Sequence, residues 1–123
     1  MPLLDRNGSL DDRWTRSEGS AIGNIPAALV PWEVLVEALD AQEAEQVVGV
    51  LIPNSIAFAE LAPFLPRLGL VAIAFPAYAD GRGFSLARQI RRAGFAGEIR
   101  ASGPLIADQF AYALSCGFDT IEL

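Results

Sequence analysis

Apolar residues recur along the chain in short continuous runs. The runs Ile25–Val30, Val47–Ile52 and Leu70–Phe75 are each followed at once by a proline, and each reads as a buried strand. Such runs are typical of parallel sheets, whose strands are covered on both faces. Two further segments, Glu98–Ser102 and Thr120–Leu123, continue the series of predicted strands.

Helical patterns fill the spaces between these strands. Residues 32–40 place apolar side chains at helical spacing with acidic side chains opposite them, which predicts an amphipathic helix. Asn54 or Ser55 is expected to cap a second helix, which Pro63 and Pro66 shorten or kink. The two remaining predicted helices are each closed by a glycine: Phe84–Ala93 and Pro104–Cys116.

This alternation predicts a single α/β domain over residues 1–123. The clear strands begin roughly 23 to 27 residues apart, which suits right-handed βαβ crossovers. We therefore expect residues 25–123 to form a parallel sheet of about four to five strands, as an open sheet or a partial β/α barrel. Residues 1–16 are expected to form a small β-hairpin around Asn7-Gly8, anchored by Trp14. The given sequence ends on a predicted strand with no helix after it. The exposed edge of this strand is expected to be covered by another element, for example from a second subunit.

Composition narrows the functional classes. The hydrophobic fraction of 52% and mean hydropathy of +0.33 fit a covered sheet and a shared apolar surface, so we expect a homodimer. The net charge of −6 argues against nucleic-acid and anionic-membrane binding. With no histidine, nucleophilic triads and metal sites that use histidine are excluded. One cysteine and an N-terminus without a leader pattern predict a cytoplasmic protein.

One loop is the richest candidate for a binding site. Ligands of parallel α/β proteins gather at the carboxyl ends of the strands, where three loops qualify: Pro53–Ser55, Pro76–Gly83 and Ser102–Pro104. In the middle loop, Gly81 and Gly83 would let backbone amides approach a ligand, and Arg82 adds a planar fork of donors. Together with the helix N-terminus they suit a sulfate, phosphate or carboxylate group. The alternative is that Asp-Gly-x-Gly is only a turn.

Charge placement gives a second signal. Arg88, Arg91 and Arg92 fall on one helical face, where their like charges repel. Their charge is expected to be neutralised by the acidic half of this chain, a sister subunit, a partner protein or an anionic ligand. On the strands, Glu98, Arg100 and Glu122 are expected to pair in a network facing a polar cavity, or else to lie at an exposed strand end. Asp108 and Tyr112 either reach that cavity or form a solvated helix face.

No cofactor or metal is expected. The glycines do not form a dinucleotide fingerprint, and no Walker loop is present. Cys116 closes a helix whose negative end disfavours a thiolate, so a packed cysteine is favoured over a redox or nucleophilic one. A metal site would have to use carboxylates alone, and none has a typical ligand spacing.

The chain resembles a bacterial family of unknown function, DUF934. The resemblance is carried by DGRG followed by an aromatic residue, Ser-x-Ala-Arg, Gly-Glu-x-Arg-Ala-x-Gly, Asp-Gln and Cys-Gly-Phe-Asp, which occur in that order. Genes of this family commonly lie beside those for assimilatory sulfite reductase, and some members are labelled oxidoreductases on that neighbourhood alone. Ala77, Ala79 and Pro104 depart from the pattern, since the family tends to carry basic, hydroxyl or acidic residues there.

The resemblance implies a pathway and a set of positions, but no reaction. The expected function is an accessory protein of assimilatory sulfite or sulfate reduction that binds a small oxyanion or anionic metabolite, a sulfite reductase partner, or both. The alternatives are a stand-alone enzyme with Asp80 or Glu98 as general base, and a non-catalytic, self-associating interaction module. The expected anion-binding residues are Gly81, Arg82, Gly83, Ser85, Arg88 and Arg100, supported by Asp108 and Gln109.

Overall fold

The structure is a computed structural model that describes residues 3–75, 81–103 and 107–122. The described strands are β1 (Leu3–Asp5), β2 (Gly8–Leu10), β3 (Thr15–Arg16), β4 (Ala27–Pro31), β5 (Val47–Pro53), β6 (Leu68–Ala74), β7 (Glu98–Ser102) and β8 (Thr120–Glu122). The α-helices are α1 (Leu35–Asp40), α2 (Phe58–Leu61), α3 (Arg82–Arg92) and α4 (Ala107–Ser115), with 3-10 turns at Trp32–Val34 and Ala62–Arg67. They form one small α/β domain.

All eight described strands belong to one mixed sheet, in the order β2-β1-β8-β7-β6-β5-β4-β3. The six strands from β3 to β8 are parallel and lie side by side in chain order, whereas β1 and β2 are antiparallel to their neighbours. The expected number of four to five strands was therefore too low. That number missed β3, which has only two residues and no apolar run. The predicted N-terminal hairpin is present as β1 and β2, and it joins the same sheet through β8.

The sheet is curled into a half-barrel. Five strand spacings separate β3 from β8, which is about 24 Å across a flat sheet. Nevertheless, the guanidinium of Arg16 on β3 bonds directly to the carboxylate of Glu122 on β8. Because the strands follow one another in order, right-handed crossovers place all the helices on the same face. That convex face is called the outer face here, and the concave face is called the inner face.

The main core lies between the outer face and the helices. On β5 and β6, alternate residues such as Val50 and Val71 point outwards and are fully buried, and they share one apolar cluster with Leu35, Leu61 and Ile90 from three helices. Burial of such a side chain stabilises a fold by about 1.5–3 kcal/mol relative to leaving it exposed. The apolar runs of the sequence are explained by this packing.

The inner face is covered by the N-terminal part of the chain. Trp14 is buried there in a smaller apolar cluster with Leu29 and Leu70, as the sequence predicts for an anchor residue. The hairpin preceding it places β1 against β8, where Leu3 pairs with Glu122. The edge of β8 that was expected to need a second subunit is therefore covered by this chain's own hairpin, and that reason for expecting a dimer was wrong.

The helices largely follow the predicted pattern, with one error at a helix start. Helix α2 begins at Phe58 after Ala57, so neither Asn54 nor Ser55 caps it. Prolines at 63 and 66 lie in the 3-10 turn that follows α2, and α2 is short, as expected. Among the described helices, none has the length and apolar character needed to span a membrane.

Candidate functional site

A groove runs along one flank of α3 at the carboxyl edge of the sheet. One wall is the connection from β5 to α2, and the other is the first two turns of α3. The groove has a volume of about 370 Å³ and is called the α3 groove; it is lined by Asn54, Ser55, Ile56, Ala57, Phe58, Arg82, Ser85, Leu86 and Gln89. It lies where ligands of parallel α/β proteins bind, between the loops that follow neighbouring strands.

Asn54 is the most informative residue of this groove. It directly follows β5 and is only 5% exposed. Its amide nitrogen Nδ2 is buried and has no hydrogen-bond partner among the described residues. An unpaired buried donor costs about 1–3 kcal/mol, so a native fold keeps one only where something offsets that cost. A ligand that offers an acceptor oxygen would do so.

The opposite wall carries further groups that attract negative charge. Arg82 opens α3, and Ser85 lies one turn further along the same flank. Helix α3 has 11 residues and carries a partial positive charge at its start, where its N-cap residue Gly81 offers no capping side chain. Leu86 and Phe58 add apolar surface, which lowers the local dielectric constant and strengthens polar contacts. The groove therefore combines cationic, hydroxyl and amide donors.

The two glycines of the predicted anion loop have different environments. Gly83 is buried under Phe75: a Cβ atom at this position would lie 2.4 Å from Phe75 Cζ. Packing against Phe75 therefore explains why residue 83 is a glycine. The expected approach of a ligand to its backbone amide stays a prediction. Gly81 is exposed and precedes α3 directly, and a Cβ atom added to it would meet no described atom within 4 Å.

Two of the predicted anion-binding arginines do not line the α3 groove. Arg88 packs over the Tyr112 ring on the outer surface, with 5.5 Å from its Cζ to the ring centroid. Arg100 alternates with Ile99, which belongs to the outer core, so its side chain lies on the inner face. The sheet separates these two guanidinium groups, and a single small anion does not contact both. The expectation that they share one site was wrong.

The other expected residues can be placed only in part. Ser85 lines the α3 groove, and Gln109 is half-buried in the first turn of α4. Tyr112 is exposed on the outer surface and does not reach the inner face. Asp80 and the side chain of Asp108 lie outside the described residues.

A second concentration of polar groups lies on the inner face. Its members come from the N-terminal segment, β3, β7 and β8, and they are joined by hydrogen bonds and ion pairs. This inner-face cluster consists of Asp12, Arg16, Glu98, Arg100, Ser102, Thr120 and Glu122. The carboxylate of Glu122 accepts hydrogen bonds from Arg16 and from Ser102 Oγ, the latter at 3.0 Å.

Arg100 is the centre of this cluster and is only 1% exposed. Its two terminal nitrogens donate to the two oxygens of Asp12 at 2.9 and 3.0 Å, a bidentate pair. It also donates to Glu98 Oε2, and its Nη1 lies 3.9 Å from Glu122 Oε2. The expected network of Glu98, Arg100 and Glu122 is thus present, with Asp12 as an additional partner that the sequence did not indicate.

The hydrogen bonds of Glu98 favour a structural role. Its Oε2 accepts from Arg100 Nε and Nη2 and, at 2.7 Å, from Thr120 Oγ1. Because Oε2 is engaged by the neighbouring strand and by Arg100, Glu98 orients the Arg100 guanidinium. A role of Glu98 as general base would have to use its other carboxylate oxygen, Oε1.

The cluster changes the acidity of its members. Burial alone would raise the pKa of Asp12, but hydrogen bonds from Arg100 and from the Trp14 backbone N–H, together with the charges of Arg100 and Arg16, outweigh burial and hold that pKa below its usual value. Burial would lower the pKa of Arg100, but Asp12 and Glu98 outweigh it and raise that pKa. Both groups are charged at neutral pH.

We expect Asp12→Asn to destabilise the protein at neutral pH and to have little effect in acid. Because folding lowers the pKa of Asp12, its contribution is present above about pH 4, the ordinary pKa of an aspartate, and is lost as the pH falls through the folded value. Urea unfolding of the variant and the wild type from pH 7 to about 2 measures this. Asp11→Asn controls for net charge, and a gap that stays constant over this range would contradict the assignment.

Sequence reasoning missed two residues of these regions, Asp12 and Arg16, and gave a third a different role. Asn54 lies in one of the three candidate ligand loops but was expected as a helix cap; only the fold shows that it is buried and has no partner for Nδ2 among the described residues. Asp12 and Arg16 lie 88 and 106 positions away from their partners, a pairing that no local pattern indicates. Among the described residues, no group of three or more cysteine, aspartate or glutamate side chains could hold a metal ion.

Comparison with known proteins gives a family and no further relatives. Neither the curated proteins nor the solved structures include a match to this chain. A family model described as "Bacterial protein of unknown function (DUF934)" matches residues 49–123, about three fifths of the chain. The match includes Asn54, α3 and β7, but not Asp12 and Arg16. The chain therefore belongs to the DUF934 family of bacterial proteins.

Proposed function

We propose that this protein binds a small oxyanion in the α3 groove and serves assimilatory sulfite or sulfate reduction as an accessory protein. The observation that carries the binding part is the buried Nδ2 of Asn54, which has no hydrogen-bond partner among the described residues and lines the same groove as Arg82. A donor amide, a guanidinium, a hydroxyl and a helix N-terminus all favour an acceptor that carries negative charge.

The shape of the groove limits the class of ligand. Its lining combines the polar side chains of Asn54, Arg82 and Ser85 with the apolar side chains of Ile56, Phe58 and Leu86. The polar groups suit a sulfate, sulfite or phosphate group, and the volume of about 370 Å³ leaves space for a small organic part attached to it. The ligand class is therefore a small free oxyanion or an anionic metabolite that ends in one.

The proposed role in sulfite or sulfate reduction is supported by a different argument from the proposed anion site. It rests on the family resemblance, because genes of this family commonly lie beside those for assimilatory sulfite reductase. A site for a sulfur oxyanion is compatible with such a role, either in holding the ion or in signalling its presence to a reductase partner. The alternative of a stand-alone enzyme has less support, because Oε2 of Glu98 is already engaged by Arg100 and Thr120. Asp80, the other candidate base, lies outside the described residues.

Sulfate, sulfite and phosphate are expected to raise the melting temperature of the protein more than chloride does at the same ionic strength. At a ligand concentration about ten times Kd, binding stabilises the fold by about 1.4 kcal/mol, or about 5 °C in Tm. Asn54→Asp places a carboxylate in the groove and should abolish this effect. Asn24→Asp makes the same chemical change at an exposed position and should leave it intact.

Arg82→Gln provides a second, independent variant, with Arg92→Gln at the other end of α3 as its control. Loss of the shift in Arg82→Gln alone is expected. An equal shift in the wild type and Asn54→Asp, or no shift with any of the three anions, would remove the binding part of the proposal.

Growth of a deletion strain tests the pathway part separately. We expect slow growth on sulfate and normal growth on cysteine, with rescue on sulfate by the wild-type gene but not by Asn54→Asp. Equal growth of the deletion strain on both sulfur sources would detach the protein from sulfate reduction and would leave the binding measurements unaffected.

A further inference from the structure

A basic surface lies on α3 and α4, on residues that do not line the α3 groove. Arg88 and Arg92 are exposed one turn apart on α3, and Tyr112 of α4, which is 46% exposed, lies beside Arg88. Arg88 packs over the Tyr112 ring and donates to its hydroxyl at 3.2 Å. We call these three residues the basic face. Stacking on an aromatic ring holds a guanidinium in place while its remaining donors point to solvent.

The third arginine of α3 has a different role. Arg91 donates to the carbonyl oxygens of Phe95, Gly97 and Gly117 and to the carboxylate of Asp119. Its donors are used within the chain, where they fasten the end of α3 to the connection before β8. By contrast, within the described part of the chain, neither Arg88 nor Arg92 forms an ion pair, although like charges four residues apart repel.

A small anion is a poor candidate to neutralise this face. The hollow beside it, of about 260 Å³, is also lined by Ser115 and Gly117 at the end of α4. The negative end of that helix disfavours an anion, and the Ser115 hydroxyl is already donated to the Tyr112 carbonyl. Two guanidinium groups on a convex helix surface instead suit carboxylates presented by another helix.

The same chain carries a surface of opposite charge. Glu33, Glu37 and Asp40 lie on the exposed side of α1 and the 3-10 turn before it, around Val36, which is 54% exposed. We call these four residues the acidic face. Its carboxylates form no ion pair within the described part of the chain. Glu37 and Asp40 lie three residues apart on α1, so their carboxylates are about one helical turn apart, as are the guanidinium groups of Arg88 and Arg92 on α3.

The two faces lie on opposite flanks of the outer helical layer. Helix α1 connects β4 to β5, whereas α3 and α4 connect β6 to β8, and α2 with its 3-10 turn lies between them. The two faces of one molecule are therefore held apart by the fold. Two molecules can bring them together.

We propose that the basic face of one molecule docks on the acidic face of a second copy of this chain. Each face has an apolar centre, Tyr112 or Val36, surrounded by charge, which is the usual composition of an interface core and its rim. The contact is head-to-tail, because it joins two different surfaces, and it can continue into short oligomers. It does not depend on the proposed oxyanion site.

Sedimentation velocity of the full chain tests this contact. The weight-average mass of the wild type is expected to rise with concentration to about twofold or more at low ionic strength. It should return to that of a monomer in about 1 M salt, where the Debye length is near 3 Å. The double variants R88E/R92E and E37R/D40R are each expected to stay monomeric. A mixture of the two should associate again, because each then offers the charge that the other lacks.

Two matched measurements keep the result unambiguous. R6E/R13E makes the same change in net charge at exposed positions near the N-terminus and should associate like the wild type. Circular dichroism melts verify that each variant is folded, and the recovery in the mixture does so independently. A wild type that is monomeric at low ionic strength, association that persists in about 1 M salt, or a mixture that stays monomeric would overturn the proposal.

Discussion

Arg100→Leu is expected to lower the free energy of unfolding by about 3–5 kcal/mol, the cost of removing one partner from a buried ion pair. The side chain of Arg100 is almost completely buried and is surrounded by the carboxylates of Asp12, Glu98 and Glu122. Leucine fills part of the volume but leaves these carboxylates without their shared cation. Arg16 is the one remaining cation of the inner-face cluster, and it is already bonded to Glu122.

Urea unfolding at neutral pH measures this loss directly. Arg92→Leu removes an exposed arginine that has no ion pair with a described residue, and it should change the stability by less than about 0.5 kcal/mol. If Arg100→Leu cost no more than this control, the inner-face cluster would not be the buried ion-pair network that the fold requires.

Gly103→Ala is expected to be the second most damaging change, with a cost above about 3 kcal/mol or failure to fold. Gly103 follows β7 with a φ of +132°, a conformation that alanine rarely adopts. A Cβ atom there would lie 2.3 Å from the backbone carbonyl oxygen of Phe75. This neighbour is part of the backbone next to β6, and it cannot move away without disturbing the Phe75 N–H bond to Ser102.

Gly94→Ala is the matched control for this prediction. Gly94 also has a positive φ, of +92°, but nothing lies within 4 Å of the added Cβ. Its substitution should cost only the conformational term, about 1–2 kcal/mol. Thermal unfolding of the two variants separates the clash from the backbone conformation. Equal costs would show that the close approach of Phe75 to Gly103 is not present in solution.

Much of the fold could be predicted from local patterns. Strand β7 has the predicted bounds Glu98–Ser102, and β4, β5 and β6 overlap their apolar runs, because a strand covered on both faces is apolar on both sides. The two-residue β3 has no such signal, since it is a strand only through its pairing with β4. The curl of the sheet and the antiparallel pairing of β1 with β8 also have no local signal, because both depend on contacts between residues far apart in the chain.

The candidate site was predictable to a smaller degree. Arg82 and Ser85 were correctly placed near a carboxyl edge, because the loop and helix that carry them can be read from the sequence. The error with Arg100 could have been avoided, since Ile99 and Ala101 alternate with it and already assign its side chain to the face opposite the helices. The burial of Asn54 could not have been predicted, because it arises only when α3 packs beside the β5–α2 connection.

Crystals soaked in selenate, a sulfate analogue with a strong anomalous signal, test the central claim most directly. We predict an anomalous difference peak in the α3 groove, within hydrogen-bonding distance of Asn54 Nδ2 and of the Arg82 side chain, and its absence from crystals of Asn54→Asp. A groove without such a peak, at selenate concentrations that raise the melting temperature of the protein, would contradict the claim.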